Sequence, residues 1–277
     1  MTHSSATSLH HGPRPWNPLH DDERAAALSS YLGVADGALT PLLRPGMACS
    51  EQEVSMHTQL KDKILGVGFP CVAARSAINR KSYRLGVYPG LGTIDAALAI
   101  CHDLYEFSHE LGRNPEQFTS FIAAFSGGQA LKELEFETLL WRQLQLIHEV
   151  DGRRFAWDSS VSHDPDDPDF SFSVGGRAFF VIGLNPAASR MARAVDHPCI
   201  VFNPHEQFEA LRTSGKYDNL KNAIRQRDLA FQGSINPVLA NFGQQAESRQ
   251  YSGRAVPSHW KCPFQHQQRP HSTDLKA

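Results

Sequence analysis

The stretch from Asp169 to Arg212 constrains this chain most, because turn signals there alternate with apolar runs too short to be independent helices. Phe170, Phe172 and Val174 alternate with polar residues, the period-2 pattern of a half-buried strand. Gly175-Gly176 makes a tight turn, and Ala178–Leu184 is a nearly all-apolar run. Together they predict a β-hairpin with a half-buried first strand and a buried second strand. The second strand ends at Asn185-Pro186, where a helix is expected to begin. Cys199–Phe202 is a further apolar strand, ending at Asn203-Pro204 and a second expected helix. In both junctions Asn suits the cap, and Pro at the first helical position sacrifices no hydrogen bond.

The rest of the chain adds alternating elements around this unit. Ile64–Val67 and Tyr83–Val87 read as strands, the second with Tyr83, Leu85 and Val87 on one face. Thr93–Leu111 is an amphipathic helix with a stripe of Ile94, Ala97, Leu98, Cys101, Leu104 and Tyr105, capped by Thr93 and stopped by Gly112. Further helices are expected from about Ala130 to Val150 and from about Tyr217 to Phe231. Such a mixture predicts an α/β (α+β) architecture, with one mixed sheet carrying a hairpin and flanked by helices. The 277 residues can bury a large core and still enclose a pocket. Residues 1–20 and 265–277 read as loose tails around one domain, residues 21–264.

Composition removes several function classes. A net charge of −2 offers no footprint for nucleic acid or an anionic membrane. No run approaches the ~20 apolar residues that span a bilayer. The odd set Cys49, Cys71, Cys101, Cys199 and Cys262, without a C-x-x-C pair, is neither a disulfide framework nor a structural zinc site. With no apolar run at the N-terminus, a cytoplasmic, reducing location is expected. There is no G-x-G-x-x-G after a strand, no P-loop, no G-x-S-x-G and no H-E-x-x-H, and no C-x-x-C-H to attach heme covalently.

Several residues remain as candidates. His205 follows Asn203-Pro204 and precedes Glu206; Asn203 and Glu206 have capping-box spacing, and the helix dipole disfavours imidazolium there. It suits either a neutral metal ligand or a His that simply packs at a helix start. Arg190 and Arg193, three apart on the expected helix, suit paired carboxylates or phosphates, or else a solvated basic face. Cys262, in Trp-Lys-Cys-Pro-Phe, and Cys71, after Pro70, are either thiolate ligands or buried apolar cysteines. Cys101 and Cys199 read as core. His102 and His109 read as a wet face, and His148 as a helix-end cation.

The blocks FPCVAARSA, GGRAFFVIGLNPAASRMAR, FNPHEQFEALR, RDLAFQGSINPVLANFG, ESRQYSGR and WKCPF, in this order from about Ile64 to Phe264, resemble the YqcI/YcgG family. Within it the chain looks closest to the heme-dependent guanidino N-hydroxylases of the guanitoxin and D-cycloserine pathways. That resemblance implies noncovalent heme b, dioxygen as oxidant, an external electron donor and a small guanidino substrate such as L-arginine. It also implies a place in natural-product biosynthesis. Under it His205 becomes the first choice for the iron, with Cys71 and Cys262 behind it, and Arg190 and Arg193 become propionate partners. Glu247 is the candidate carboxylate for the guanidinium, with Asp103 and Asp158 as alternatives, and Tyr251 is expected to orient the substrate. The competing expectation is a noncatalytic heme-binding sensor or carrier.

Overall fold

The apolar runs at residues 83–90 and 120–127 lie side by side as parallel strands in the middle of the molecule. The structure is a computed structural model and describes residues 15–112, 118–127, 131–234 and 245–267. Seven strands form one sheet: β1 Leu32–Ala35, β2 Ala38–Pro41, β3 Tyr83–Gly90, β4 Ser120–Gly127, β5 Phe172–Val174, β6 Arg177–Leu184 and β7 Cys199–Pro204. Their spatial order is β2-β1-β3-β4-β7-β6-β5. β3 and β4 run parallel, joined through helix α4 (Ile94–Leu111); every other neighbouring pair is antiparallel. The remaining helices are α1 Glu23–Leu28, α2 Glu51–Leu65, α3 Val72–Arg80, α5 Glu133–Asp151, α6 His205–Thr213, α7 Tyr217–Gln232 and α8 Ser248–Tyr251. The mixed sheet flanked by helices is the expected fold class.

Side chains alternate across each strand, so the sheet sorts its residues between two covers. Phe121, Ala123 and Phe125 of β4, Phe179 and Val181 of β6, and Ile200 and Phe202 of β7 join α4 and α5 in an aromatic core. Tyr83, Leu85, Ile122, Ala124, Leu184 and Cys199 face the other way, toward Met56, Leu60 and Ile64 of α2 and Ile78 of α3. The hairpin forms as expected, with Val174 opposite Arg177 and positive φ at Gly175 and Gly176. Its first strand is buried on both faces, however. Ser171 and Ser173 are sealed in because each finds a partner: Ser171 donates to Glu247, and Ser173 accepts from the Asp158 amide at 2.9 Å.

Three local expectations fail for visible reasons. Ile64 ends a helix rather than starting a strand: a capping box at Ser50 and Glu53 launches α2, whose buried stripe Met56, His57, Leu60 and Ile64 continues at helical spacing. No helix follows Asn185-Pro186; residues 185–194 are successive turns, with the Arg193 carbonyl accepting from Asn185 N–H at 2.9 Å. Asn203 is not a cap, because β7 continues through Pro204. Its side chain instead accepts from Ser120 and donates to the Phe180 carbonyl, while Glu206 pairs with Arg177. The capping box expected there is absent.

At both ends, residues read as tail pack against the body. Trp16 stacks on His109 with ring centroids 3.7 Å apart, and Asn17 and Leu19 are buried against α4. The face carrying His102 is therefore covered, not wet. At the other end, the Gln265 and Gln267 amides donate to Gln145 and His148.

The close approach of β6 to α5 and α8 needs a residue without a side chain at Gly183. A Cβ there would stand 2.7 Å from Phe136 and Leu140 and 2.8 Å from the Tyr251 carbonyl. Gly183→Ala is expected to destabilise the fold by about 1–3 kcal/mol, as overpacking does. Thermal unfolding followed by circular dichroism should show a midpoint lowered by several degrees.

Candidate functional site

The α2/α3 face of the sheet is not filled by side chains. Between it and helices α6 and α7 lies a cavity of about 300 Å³, at the lower end of the size that holds small ligands. Its floor is Ile122 of β4, Phe180 and Ile182 of β6 and Val201 of β7; Leu60, Ile64 and Phe69 wall one side, and Leu220 and Ile224 of α7 the other. Polar groups line it too: Arg212, Lys221, Arg225 and Asp228 from α6 and α7, and, from elsewhere, Cys71, Arg190, Arg193 and Glu247. Cys71, the Arg190/Arg193 pair and Glu247 come from three separate sequence blocks that the fold brings together.

Cys71 is the N-cap of α3, and its sulfur accepts from the Ala74 N–H at 3.4 Å. Burial pushes the thiol up; the amides of Ala74 and Ala73 and the nearby Arg193 guanidinium pull it back toward thiolate. A sulfur at a helix N-terminus beside a cation is the setting in which thiolates are stabilised.

Arg190 and Arg193 share a turn, not a helix, and their situations differ. Arg190 is bound to Asp228 of α7 at 2.6 Å and to the hydroxyl and carbonyl of Ser234 at 2.9 and 2.8 Å. Arg193 donates to the carbonyls of Gly183, Gln250 and Tyr251 at 2.9, 3.3 and 3.5 Å, and to no carboxylate among the described residues. Burial lowers its pKa to about 10. It is a buried cation held by neutral dipoles, with capacity for an anion in the cavity.

Glu247, just before α8, is 5% exposed. Its one hydrogen bond comes from the Ser171 hydroxyl at 3.3 Å. Burial raises its pKa to about 8, against smaller lowering effects of Ser171 and Arg212. It is thus a buried acid without a bonded cation among the described residues.

The other candidates lie elsewhere. His205 is the first residue of α6 and is buried, but it does not line the cavity; Gln207 and Phe208 of the same helix do. Its Nε2 meets Glu209 at 3.0 Å. Its pKa is lowered chiefly by burial and then by Arg212. Tyr251 belongs to the aromatic core, stacked on Trp141, with its hydroxyl accepting from the Phe172 N–H at 3.2 Å. That hydroxyl holds the hairpin and does not reach the cavity. Cys262 packs beside the same core, where burial drives its thiol to about 12. Asp103 is buried under α1, and Asp158 accepts from the Ala178 N–H at 2.9 Å to pin the hairpin. Cys101 and Cys199 are buried, as expected.

Sequence reasoning missed the lid. Tyr217, Leu220, Ile224 and Asp228 all reach the cavity from α7, and their spacing of three, four and four is a helical stripe that periodicity could have marked. It also missed Tyr83, whose hydroxyl meets His57 Nε2 at 2.5 Å on the cavity wall.

Comparison with known proteins follows the same blocks. Residues 60–265 match the YqcI/YcgG family. The chain is 24% identical over 206 residues to "Uncharacterized protein YqcI" of Bacillus subtilis (strain 168), covering 71% of this chain and 80% of that one. It is 23% identical over 184 residues to "Putative N(omega)-hydroxy-L-arginine synthase DcsA" of Streptomyces lavendulae, covering 63% and 68%. No solved structure gives a significant match.

The Arg190–Asp228 pair fastens the lid helix to the turn after β6, with side chains 9% and 5% exposed. Asp228→Ala leaves a buried guanidinium uncompensated, which costs about 3–5 kcal/mol. Urea unfolding should show that loss, while Arg190→Met combined with Asp228→Leu should recover a large part of it.

Proposed function

This chain belongs to the YqcI/YcgG family, and from that premise we propose that it is a heme-dependent oxygenase that N-hydroxylates the guanidino group of L-arginine or an arginine-like metabolite. The distant relationship to a protein named as a hydroxyarginine synthase supports the reaction class. The observation that carries the proposal is the pairing, around one apolar cavity, of a helix-capping thiol with a buried carboxylate that has no bonded cation among the described residues.

A noncovalently held heme at this cavity would draw on Cys71, Arg190 and Arg193. Cys71 would hold the iron, displacing His205 and Cys262, which do not line the cavity. Arg193, lacking a carboxylate partner, would balance the thiolate or a propionate, and Arg190 would do so only in competition with Asp228. When bound, heme supplies dioxygen activation with electrons from an external donor.

The chain's own residues do the rest. Glu247 accepts the planar guanidinium as a charge-assisted pair. Because the acid is largely protonated below about pH 8, entry of the cation expels its proton. The apolar walls lower the local dielectric, which strengthens that pair relative to solvent. Ser171 fixes one carboxylate oxygen and so the direction in which the substrate is held.

The pH dependence follows from the sign of the Glu247 shift. Its folded pKa, about 8, lies above the ordinary 4.5, so substrate binding must pull a proton off below pH 8. Arginine affinity, measured calorimetrically, is expected to fall ~tenfold per pH unit below that point. Glu247→Gln should weaken binding by roughly 1.5–3 kcal/mol and flatten the profile. The same shift contributes stability that is present below about pH 4.5 and lost as pH rises through about 8, so Glu247→Gln should unfold later than the parent above pH 8. With reductant and dioxygen, the product should gain one oxygen by mass spectrometry. Cys71→Ser should displace the ferrous–CO band, and His205→Ala should leave it in place; the opposite pattern returns the iron to His205.

A further inference from the structure

A second cluster of ligating groups lies on the opposite face of the sheet, away from the cavity. We propose that His20, His102 and Glu106 form a divalent transition-metal site that clamps the N-terminal segment onto α4. Their ligating atoms all lie within 4.8 Å of one another. His102 and Glu106 stand four apart on α4, on one helix face and both buried, and His20 arrives from the segment that covers them.

The surroundings of His102 prepare it as a ligand. Its Nδ1 sits 2.9 Å from Asp103 Oδ1. That fully buried carboxylate also accepts from the Ser29 hydroxyl at 2.5 Å, the Ser30 N–H at 3.0 Å and the Tyr88 hydroxyl at 2.7 Å. With Nδ1 held by Asp103, Nε2 is the nitrogen left to serve as the ligand. A carboxylate behind a histidine in this way orients metal-binding imidazoles and makes them more basic.

Glu106 and His20 are placed with similar care. The Asn17 amide donates to Glu106 Oε1 at 2.8 Å and to the His102 carbonyl at 3.2 Å, and the Trp16 indole donates to Oε2 at 3.4 Å. The His20 N–H closes a turn on the Asn17 carbonyl at 3.0 Å, which carries its ring back to α4. Ligands to zinc lie at about 2.0–2.1 Å, so two on one ion are at most ~4 Å apart. Half-buried His20 closes that gap by rotating its side chain.

The donor set fixes the class of ion. Two imidazoles and one carboxylate suit zinc and its first-row neighbours, whereas calcium and magnesium prefer oxygen ligands and copper(I) prefers sulfur. With the sheet between them, this ion and the cavity contents are separate, so the site stands independently of the proposed oxygenase activity.

The full-length protein, stripped with EDTA, is titrated with zinc and its metals are counted by mass spectrometry, iron separately. One zinc per chain is expected, with a raised melting temperature. His20→Ala should weaken zinc binding by more than the ~10–100-fold that loss of an outer partner costs, and should abolish the thermal shift; this half-exposed position leaves the Asp103 network intact. Glu106→Gln should weaken binding similarly. His3, His10 and His11, outside the described residues, are replaced together by Ser as a separate arm and should leave the affinity unchanged. Failure of the parent to bind zinc, unaltered affinity in His20→Ala, or loss of binding in the triple-serine protein each overturns the site.

Discussion

A seven-stranded sheet with apolar side chains on both faces has to be covered twice, and the two covers here are unequal. One is a dense aromatic layer in which Phe121, Phe125, Phe172, Phe179 and Phe202 meet the faces of α4 and α5. The other is made by α2, α3 and the lid helix α7, and it leaves a hollow lined by Ile122, Ile182 and Val201. The dense side supplies rigidity, because interiors packed at crystal-like density resist local deformation. The hollow side can then hold a ligand without carrying the whole burden of stability.

The handling of buried charge follows the same division. On the dense side, carboxylates are saturated. Asp103 receives four donors, and Glu137 receives Ser252, Arg254 and Trp260, which ties the C-terminal segment to α5. Asp151 takes the Tyr105 hydroxyl and the Gly175 amide at the hairpin turn. At the cavity, among the described residues, Arg193 bonds to carbonyls and Glu247 to a hydroxyl. Incompletely satisfied buried ions are costly. Their location beside an apolar hollow is what a site for a ligand bearing both an anionic and a cationic end would require.

Much of the fold was legible in the sequence. The hairpin at residues 172–184, the Thr93-capped helix, the helix stopped at Gly152 and the helix at 217–232 all carry strong local signals: a Gly-Gly turn, a side-chain cap, unbroken helical periodicity. The errors fall where tertiary partners outbid local preference. Asn203 has a capping residue's chemistry but meets Ser120 on β4, so the strand runs on and the cap is lost. Asn185-Pro186 lacks any such tell, and the chain there turns instead so that Arg190 can reach Asp228.

The candidate site divides along the same line. Residue chemistry in the sequence picked out Cys71, Arg190, Arg193 and Glu247, because a thiol after proline, an arginine pair and a glutamate in a compact block are conspicuous types at conspicuous places. It also picked out Tyr251 and Cys262, and it placed His205 ahead of Cys71 for the iron, since nothing in a one-dimensional pattern reveals which wall a side chain faces. The sequence by itself determined the alternation of strands and helices and the inventory of reactive groups, both of which depend on neighbours a few residues apart. Only the tertiary structure decided which of those groups share a cavity, which are sealed in the aromatic core, and that His102 is covered by the chain's own beginning. Those outcomes depend on contacts between segments tens to hundreds of residues apart, such as Asn17 with Glu106 and Ser171 with Glu247.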